Sequence, residues 1–367
     1  PYVIDFDLRN LPPPRSWQPG DPIRSVPQRF FRSPGEGLPI SVEPAPDPLW
    51  LLQSELGSLD TLSYEPDSFT VPSRNFPGIA YTGSDPPDTV GDVGPNHYVQ
   101  MVNGSEDLKH ATIRIWDKAE PAPNLLASFT TLDLAGGWCM YMGGDGIVLY
   151  DRQADRWLIT HMGKFGTCVY VSRTGDPVAG GWYSYGFDSA FGDYPHTVTW
   201  ATDANGGAGS YVITVNEEDP PVFAVEREAL LAGRRARTVG VRLPSMPNSI
   251  RFQIITPAAP DGPSGPPAGA PVIIMRMRDT EVHDLLEVPG DFLEMWLFDV
   301  DWSEPAATLT RAADIGVADF DLTLCPDYVF GWDGCFAQPG TVQTLMALEE
   351  IMMHRLQYYR HETYESL

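Results

Sequence analysis

Short apolar runs rich in β-branched and aromatic residues recur along this chain, separated by glycine, aspartate and proline. From Phe76 onward most run roughly five to eight residues, for example HYVQMVN, TIRIWD, GIVLYD, RWLITHM, TCVYVS and SYVITVN. Runs of this kind between turn residues predict β-strands. Helix patterns are scarce, and only EREALLAG (Glu226–Gly233) predicts one or two helical turns. The sequence therefore predicts an all-β fold.

A weak internal repeat narrows the fold further. YVQMVN (Tyr98–Asn103) and YVITVN (Tyr211–Asn216) match at four of six positions, 113 residues apart. Aspartates precede successive strand groups at intervals of 57, 48 and 68 residues: Asp88, Asp145, Asp193 and Asp261. Units of about 45–60 residues with four strands each are typical of β-propeller blades. We expect a β-propeller of about six to seven four-stranded blades.

The chain divides unevenly into two parts. Residues 1–75 are rich in proline, as in LPPPRSWQPGDP, and show little periodicity. We expect them to form an extended arm that lies on the main domain and is anchored by apolar residues such as Phe6 and Leu8. Residues 76–367 are expected to form the propeller, with an incomplete final blade.

Charge limits the classes of partner. The chain has 49 acidic and 24 basic residues, a net charge of −25. Nucleic acids and anionic membrane surfaces require clustered lysine and arginine, so neither is an expected partner. No apolar run approaches the roughly 20 residues of a membrane span. An acidic chain of this kind is suited to binding cations or a basic partner.

Four cysteines indicate the compartment. Cys139, Cys168, Cys325 and Cys335 allow three pairings, and none shows the C-x-x-C spacing of a zinc site. Sequence proximity favours Cys139–Cys168 and Cys325–Cys335. Disulfides predict a secreted or cell-surface protein, and a chain that begins at Pro1 is read as a mature form without its signal peptide. The alternative is a cytoplasmic protein with four buried thiols.

The segment PPDTVGDVGPNHYVQMVN (Pro86–Asn103) has two interpretations. Its aspartates Asp88 and Asp92, together with Asp193, are candidate calcium ligands, because calcium prefers carboxylate and carbonyl oxygens. The alternative is a turn that opens the first inner strand, in which each aspartate caps its own backbone and Gly91 and Gly94 take positive φ. Calcium is the one cofactor that the sequence suggests.

Catalytic motifs are absent: the sequence has no G-x-S-x-G, H-E-x-x-H or Walker loop. No catalytic residue is therefore predicted. His97, Tyr194 and His196 are candidates for a channel mouth, with buried or capping roles as the alternative. Most tryptophans are expected to pack between blades, and a minority to form a sugar-stacking surface, which makes a glycan a candidate ligand.

Several strings carry a family resemblance. PPDTVGDVGPNHYVQMVN, IVLYDRQADRWLIT, CVYVSRTGDPVAGGWYSYGF and DYPHTVTW occur here in the order in which they resemble strings of a family of large secreted bacterial proteins. That family is poorly characterised and is predicted to form β-propellers, so the resemblance implies a fold and a secreted location. Its members run on past the residues that resemble the end of this chain. The resemblance thus implies that a partner chain supplies closing strands, either the cleaved C-terminal remainder of the same precursor or a separate chain.

Two functions of different classes follow. The first is a secreted, non-catalytic binding or scaffold protein, a subunit of an extracellular or cell-surface assembly. The second is a carbohydrate-active hydrolase or lyase with its site at the channel mouth, which rests on fold analogy alone. We favour the first, because the sequence carries no catalytic motif.

Overall fold

In the residues that the computed structural model describes, the regular secondary structure is almost entirely β-strand, which confirms the all-β prediction. It describes residues 1–25, 74–105, 109–119, 122–141, 143–188, 193–217, 219–246, 255–283, 285, 290–320, 336–337, 340, 342, 344–345, 352 and 355–367. Helix α1 spans Thr131–Leu134 and α2 spans Arg227–Leu231, with single 3-10 turns at Leu8–Asn10 and Gly137–Met140. No helix in these ranges is long and apolar enough to cross a bilayer.

Four antiparallel meanders of four strands each follow one another along the chain. The first sheet contains β4 (Val90–Val93), β5 (His97–Val102), β6 (Thr112–Asp117) and β7 (Leu125–Thr130). The second contains β8 (Gly144–Asp151), β9 (Arg156–Gly163), β10 (Gly166–Ser172) and β11 (Trp182–Phe187). The third contains β12 (Asp193–Trp200), β13 (Ser210–Asn216), β14 (Pro221–Glu226) and β15 (Thr238–Arg242).

The fourth sheet is extended by later strands. Its meander is β16 (Thr256–Pro260), β17 (Val272–Arg278), β18 (Phe292–Asp301) and β19 (Ala306–Gly316). Strand β22 (Leu356–Arg360) pairs in parallel with β16, and β23 (Glu365–Ser366) pairs with β22. Two short pairs complete the described strands: β2 (Arg24–Ser25) with β3 (Ser84–Asp85), and β20 (Phe336–Ala337) with β21 (Thr344–Leu345).

The first strands of the four sheets lie side by side. Strand β4 contacts β8, β8 contacts β12, and β12 contacts β16. Each meander then leads outward from this row to its fourth strand. Residues at one end of the first strands are consequently neighbours in space, although they are about 50 residues apart in sequence.

Both faces of the middle sheets are buried. In β9, Trp157 and Ile159 belong to the apolar cluster shared with the first sheet, whereas Leu158 belongs to the cluster shared with the third. In β13, Ile213 packs toward the second sheet and Val212 toward the fourth. Successive side chains of a strand point to opposite faces. A continuous apolar run such as RWLITHM is therefore a strand covered on both sides, which is why alternation is weak in the sequence.

The segment Pro86–Asn103 forms a hairpin rather than a plain turn. Strand β4 pairs with β5 with Val90 opposite Met101. The expectation that Gly91 and Gly94 take positive φ is wrong, since neither is among the left-handed residues of the described chain. Their role is close packing, because a Cβ at Gly94 would lie 2.7 Å from the Trp157 ring.

The described part of the N-terminal arm lies on the second sheet. Strand β1 (Tyr2–Ile4) pairs with β11, and the N–H of Leu8 donates to the carbonyl of Val178 at 3.0 Å. Leu8 is 1% exposed, whereas Phe6 is 42% exposed, so Leu8 is the anchor and the expected role of Phe6 is wrong. Residues 26–73 lie outside the described residues.

The predicted disulfide between Cys139 and Cys168 is confirmed. Cys168 lies in β10, but Cys139 lies in the 3-10 turn before β8, so the bond ties a connecting segment to the sheet instead of joining two strands. Both cysteines are fully buried. The predicted Cys325–Cys335 bond lies outside the described residues.

A buried ion pair joins the second and third sheets. The Arg227 guanidinium donates from Nε to Oδ2 of Asp151 at 2.7 Å and from Nη2 to Oδ1 at 3.0 Å. The Tyr211 hydroxyl donates to the same Oδ2 at 2.9 Å. All three residues, which we call the Asp151 cluster, are buried. Three donors thus satisfy a carboxylate that would be costly to bury alone.

We expect Asp151→Asn to lower the free energy of unfolding by about 3–5 kcal/mol, because the Arg227 guanidinium loses its buried counter-ion and keeps the more exposed Glu228. Urea unfolding measures the change. Asp155→Asn is the matched control: Asp155 lies on the same hairpin, takes φ of 52°, which asparagine tolerates, and accepts only from the Tyr150 hydroxyl at an exposed position. Equal losses in the two variants would contradict a special role for the Asp151 cluster.

Candidate functional site

Three aspartates meet at one end of the row of first strands. Asp88 precedes β4, Asp145 is the second residue of β8, and Asp193 opens β12. The Asp145 carboxyl lies close enough to those of Asp88 and Asp193 for both to influence its pKa. We call these three residues the acidic centre. The neighbouring positions of the first strands explain how residues so distant in sequence converge.

Asn103 holds two members of the acidic centre in place. Its Nδ2 donates to Oδ2 of Asp88 at 2.9 Å and to Oδ1 of Asp145 at 3.0 Å. Its Oδ1 accepts from the N–H of Asp145 at 2.9 Å. Asn103 is 1% exposed, so this amide is a fixed part of the site.

The third aspartate has an equivalent neighbour. Asn216 ends β13 and pairs in register with Asp193, and it is fully buried. The repeat YVQMVN/YVITVN therefore has a structural meaning: in both copies its final asparagine, Asn103 or Asn216, lies beside the aspartate at the start of the adjoining first strand. The sequence contained this signal, but only the pairing register relates asparagine to aspartate.

Left-handed backbone is concentrated at the same place. Asp88 has φ of 37°, Asp145 of 47° and Tyr194 of 45°. Aspartate tolerates this region better than most residues, but tyrosine does not. Such conformations cost on the order of 1–3 kcal/mol each and persist only where the surroundings fix them. Their convergence on one group of side chains is a reason to treat the acidic centre as a functional site.

Burial raises the pKa of carboxyl groups in the acidic centre. It raises the pKa of Asp145 to about 6, and the negative charge of Asp88 adds to the rise. Burial also raises the pKa of Asp88. Two carboxyl groups can hydrogen-bond to each other only when they share a proton. A bound cation offers the other way to neutralise them, and hard divalent cations prefer such oxygen ligands.

The predicted ligands divide into two groups. Asp88 and Asp193 belong to the acidic centre, but Asp92 does not join them. Its Oδ2 accepts from the N–H of Tyr150 at 2.8 Å, five residues further along β8 than Asp145. Asp92 therefore ties the first sheet to the second, and Asp145 occupies the place expected for it.

The structure does not bring the three channel-mouth candidates together. Tyr194 and His196 are neighbours, with ring centroids 5.2 Å apart. Burial raises the pKa of Tyr194, and the negative charges of Asp88 and Asp145 add to the rise. His97 begins β5 opposite Asp117, at the other end of that strand from Asn103. The structure thus places Tyr194 beside the acidic centre and His97 away from it.

His196 faces the fourth sheet. It pairs with Thr214, whose hydroxyl donates to the carbonyl of Ile255, so both side chains point toward that sheet. Burial lowers the pKa of His196 to about 4, with the positive charge of Arg355 adding to the effect. The imidazole is therefore neutral at pH 7. Its Nε2 has no hydrogen-bond partner among the described residues.

A second group of carboxylates lies at the ends of β17 and β18. The nearest oxygens of Asp279, Glu281 and Asp291 lie within 4.8 Å of one another. Asp279 caps a turn by accepting from the N–H groups of Glu281 and Val282, each at 3.0 Å. Asp291 accepts from the N–H and hydroxyl of Thr280 at 2.8 and 3.1 Å. Local hydrogen bonds account for both buried members, so this group is a turn cap that the sequence did not reveal.

Comparison with known proteins adds no assignment: no protein-family model matches the sequence, and no curated protein matches it.

Without divalent cations, we expect the free energy of unfolding to fall by about 2–3 kcal/mol between pH 4 and pH 7 through Asp145 alone. The folded pKa of about 6 exceeds the ordinary 3.8, so the folded state binds the extra proton and loses stability as pH rises through this window. Urea unfolding across the window, in chelator, measures it.

Asp145→Asn isolates the contribution of this one group, because asparagine keeps the shape and does not titrate. Acidic residues outside the acidic centre repel one another in both proteins and cancel in the difference. The wild type should therefore lose more stability than the variant as pH rises. Parallel pH profiles of the two proteins would contradict a raised pKa at Asp145.

Proposed function

We infer that this protein is a secreted, non-catalytic binding or scaffold protein built on a β-propeller, with a calcium ion bound at the acidic centre. The observation that carries the cation is the convergence of Asp88, Asp145 and Asp193 at one end of the first strands, where the Asn103 amide bridges Asp88 and Asp145. Three carboxyl groups from three successive sheets would hold the ion. Its charge would then replace the shared proton and lock the sheets together.

The arrangement of sheets supports the propeller. Four four-stranded meanders follow in chain order, and their first strands contact one another in sequence. Blades of a propeller are arranged in this way around their axis. On this proposal the acidic centre lies at one end of the axis, and the four sheets are four of about six to seven blades.

Two features support a secreted location. The Cys139–Cys168 disulfide is formed and buried, and structural disulfides persist in oxidising compartments. The resemblance to secreted bacterial proteins points the same way. A protein partner belongs to the same proposal.

The outer strand of the fourth sheet supports association with another chain. Strand β19 has eleven residues, most of them exposed, and on one side it has no partner strand among the described residues. A long exposed edge offers unpaired backbone groups to an incoming strand.

The geometry of the acidic centre favours binding over hydrolysis. A glycosidase holds its two carboxyl groups about 5–9.5 Å apart, so that the sugar or a water fits between them. At the acidic centre the Asn103 amide donates to both Asp88 and Asp145, so that this side chain, and not a sugar, occupies the space between the two carboxyl groups. This arrangement fits a shared proton or a shared cation better than an acid and a nucleophile on either side of a substrate.

Calcium should raise the melting temperature of the wild type and leave that of Asp145→Asn unchanged. At 100 times the dissociation constant, a ligand of the folded state adds about 2.7 kcal/mol of stability. Calorimetric melting with calcium or with chelator measures the shift, and isothermal titration measures binding directly.

Glu281→Gln provides the matched control, because Glu281 is the exposed member of the turn-capping group at Asp279 and Asp291. It should respond to calcium like the wild type. If Glu281→Gln abolished the calcium response while Asp145→Asn retained it, the ion would belong to the other group. If calcium left the wild type unchanged, the proposed ion at the acidic centre would be wrong.

A further inference from the structure

A cavity of about 420 Å³ lies where the N-terminal arm meets the second sheet. Its walls include Tyr2, Trp138, Phe187, Asp188 and Arg235, and none of the acidic centre. Cavities that bind small molecules range from about 300 to 1,000 Å³. The site is therefore large enough for one or two sugar-sized rings.

Glycines position the main aromatic wall of the cavity. A Cβ at Gly163 of β9 or at Gly186 of β11 would collide with the Trp138 indole, so the ring lies flat enough against the sheet to need both positions bare. The adjacent Cys139 is bonded to Cys168 of β10. The sheet thus supports the indole and the disulfide fixes the adjacent backbone. Part of the ring stays accessible to the cavity.

Exposed aromatic rings also lie near Trp138. Tyr2, Tyr141 and Phe165 are 55%, 60% and 49% exposed. The Phe165 ring lies 6.1 Å from that of Trp138, and the Lys164 ammonium lies 5.1 Å from the Phe165 centroid. Exposed rings grouped in this way mark a binding surface more often than a solvated one.

Two charged groups in the walls are left without partners. Asp188 and Arg235 both line the cavity, and neither makes a hydrogen bond or ion pair within the part of the chain that the structure describes. Elsewhere in this protein carboxylates and guanidiniums pair, as Arg173 does with Asp5 and Arg237 with Glu226. An unpaired acceptor and an unpaired donor beside an aromatic ring can together hold one polar ligand.

This combination selects a chemical class. A sugar ring presents C–H groups on its face and hydroxyls around its edge, so its face can lie on an indole while its hydroxyls reach the walls. A purely apolar ligand would desolvate Asp188 and Arg235 without replacing their hydrogen bonds. A nucleic acid is disfavoured, because a protein of net charge −25 repels its phosphates. The aromatic and polar walls together fit a saccharide.

We propose that the cavity binds a saccharide residue of a glycan, with the ring on Trp138 and its hydroxyls on Asp188 and Arg235. The proposal names a ligand for the binding role inferred above and rests on that role, but it does not depend on the calcium ion. Phe165 and Tyr141 extend the aromatic surface, so longer oligosaccharides bind more tightly than single sugars.

The test uses oligosaccharides of two to six residues, neutral or carrying uronic acids, immobilised on an array. Hits are then titrated calorimetrically against the full chain. Asp188→Asn and Arg235→Gln should each weaken binding at least about tenfold, since each removes a charged hydrogen-bond partner. Both side chains are exposed and unpaired, so the melting temperature should not change. Arg234→Gln, one residue away and outside the cavity, is the matched control and should bind like the wild type.

Each outcome decides the proposal. Binding lost in the two cavity variants and kept in Arg234→Gln supports it. No hit on the array, or hits that the cavity variants retain, overturns it. Capture of a protein partner that competes at Asp188 and Arg235, with no saccharide bound, overturns the ligand class but leaves the binding role intact. Release of shortened sugars from a bound oligosaccharide supports the saccharide site and overturns the non-catalytic role.

Discussion

The need to bury both faces of each middle sheet governs the rest of this structure. A single four-stranded sheet with apolar residues on both faces is stable only between two neighbours, and stacking the sheets in chain order provides them. Successive residues of β9, such as Trp157 and Leu158, contribute to different interfaces for this reason. The same stacking places β4, β8 and β12 side by side. Polar groups at one end of these strands therefore lie close together, even where their charges repel one another.

The protein neutralises its buried carboxylates in two different ways. Asp151 lies between the second and third sheets and receives a full counter-ion from Arg227, together with the Tyr211 hydroxyl. Asp145 accepts from Asn103 and lies close to two further carboxyl groups, and no cationic side chain is among its hydrogen-bond partners in the described residues. The first arrangement is complete in itself and explains a structural contact. The negative charge of the second is balanced only by a proton or a bound cation. This difference distinguishes a candidate binding site from a structural contact.

Much of the fold is accessible from sequence, because turn residues and apolar runs mark the strands locally. HYVQMVN, RWLITHM and SYVITVN correspond to β5, β9 and β13, the short helix at Glu226–Gly233 corresponds to α2, and the Cys139–Cys168 bond follows from proximity. Only part of the candidate site can be predicted from the sequence. The structure brings Asp88 and Asp193 close to Asp145, whereas Asp92 accepts from the N–H of Tyr150 further along β8, a placement that depends on the packing of β4 against β8 and that no residue pattern reveals. The cavity at Trp138 escaped entirely, since it depends on two glycines and on Tyr2, more than 100 residues away in the chain.

The N-terminal arm connects stability to binding in this arrangement. Strand β1 holds to the edge of the second sheet through three residue pairs, and Leu8 anchors the segment that follows. Tyr2 belongs to β1, lines the cavity and covers Gly136, where a Cβ would collide with its ring. A short edge strand opens more readily than the sheet it joins. A ligand that contacts both Tyr2 and Trp138 therefore binds only when the arm is docked, and its binding energy in turn favours the docked arm. The acidic centre lies at the inner strands, whereas the arm completes the outer cavity, so the two candidate sites of this protein depend on different parts of the fold.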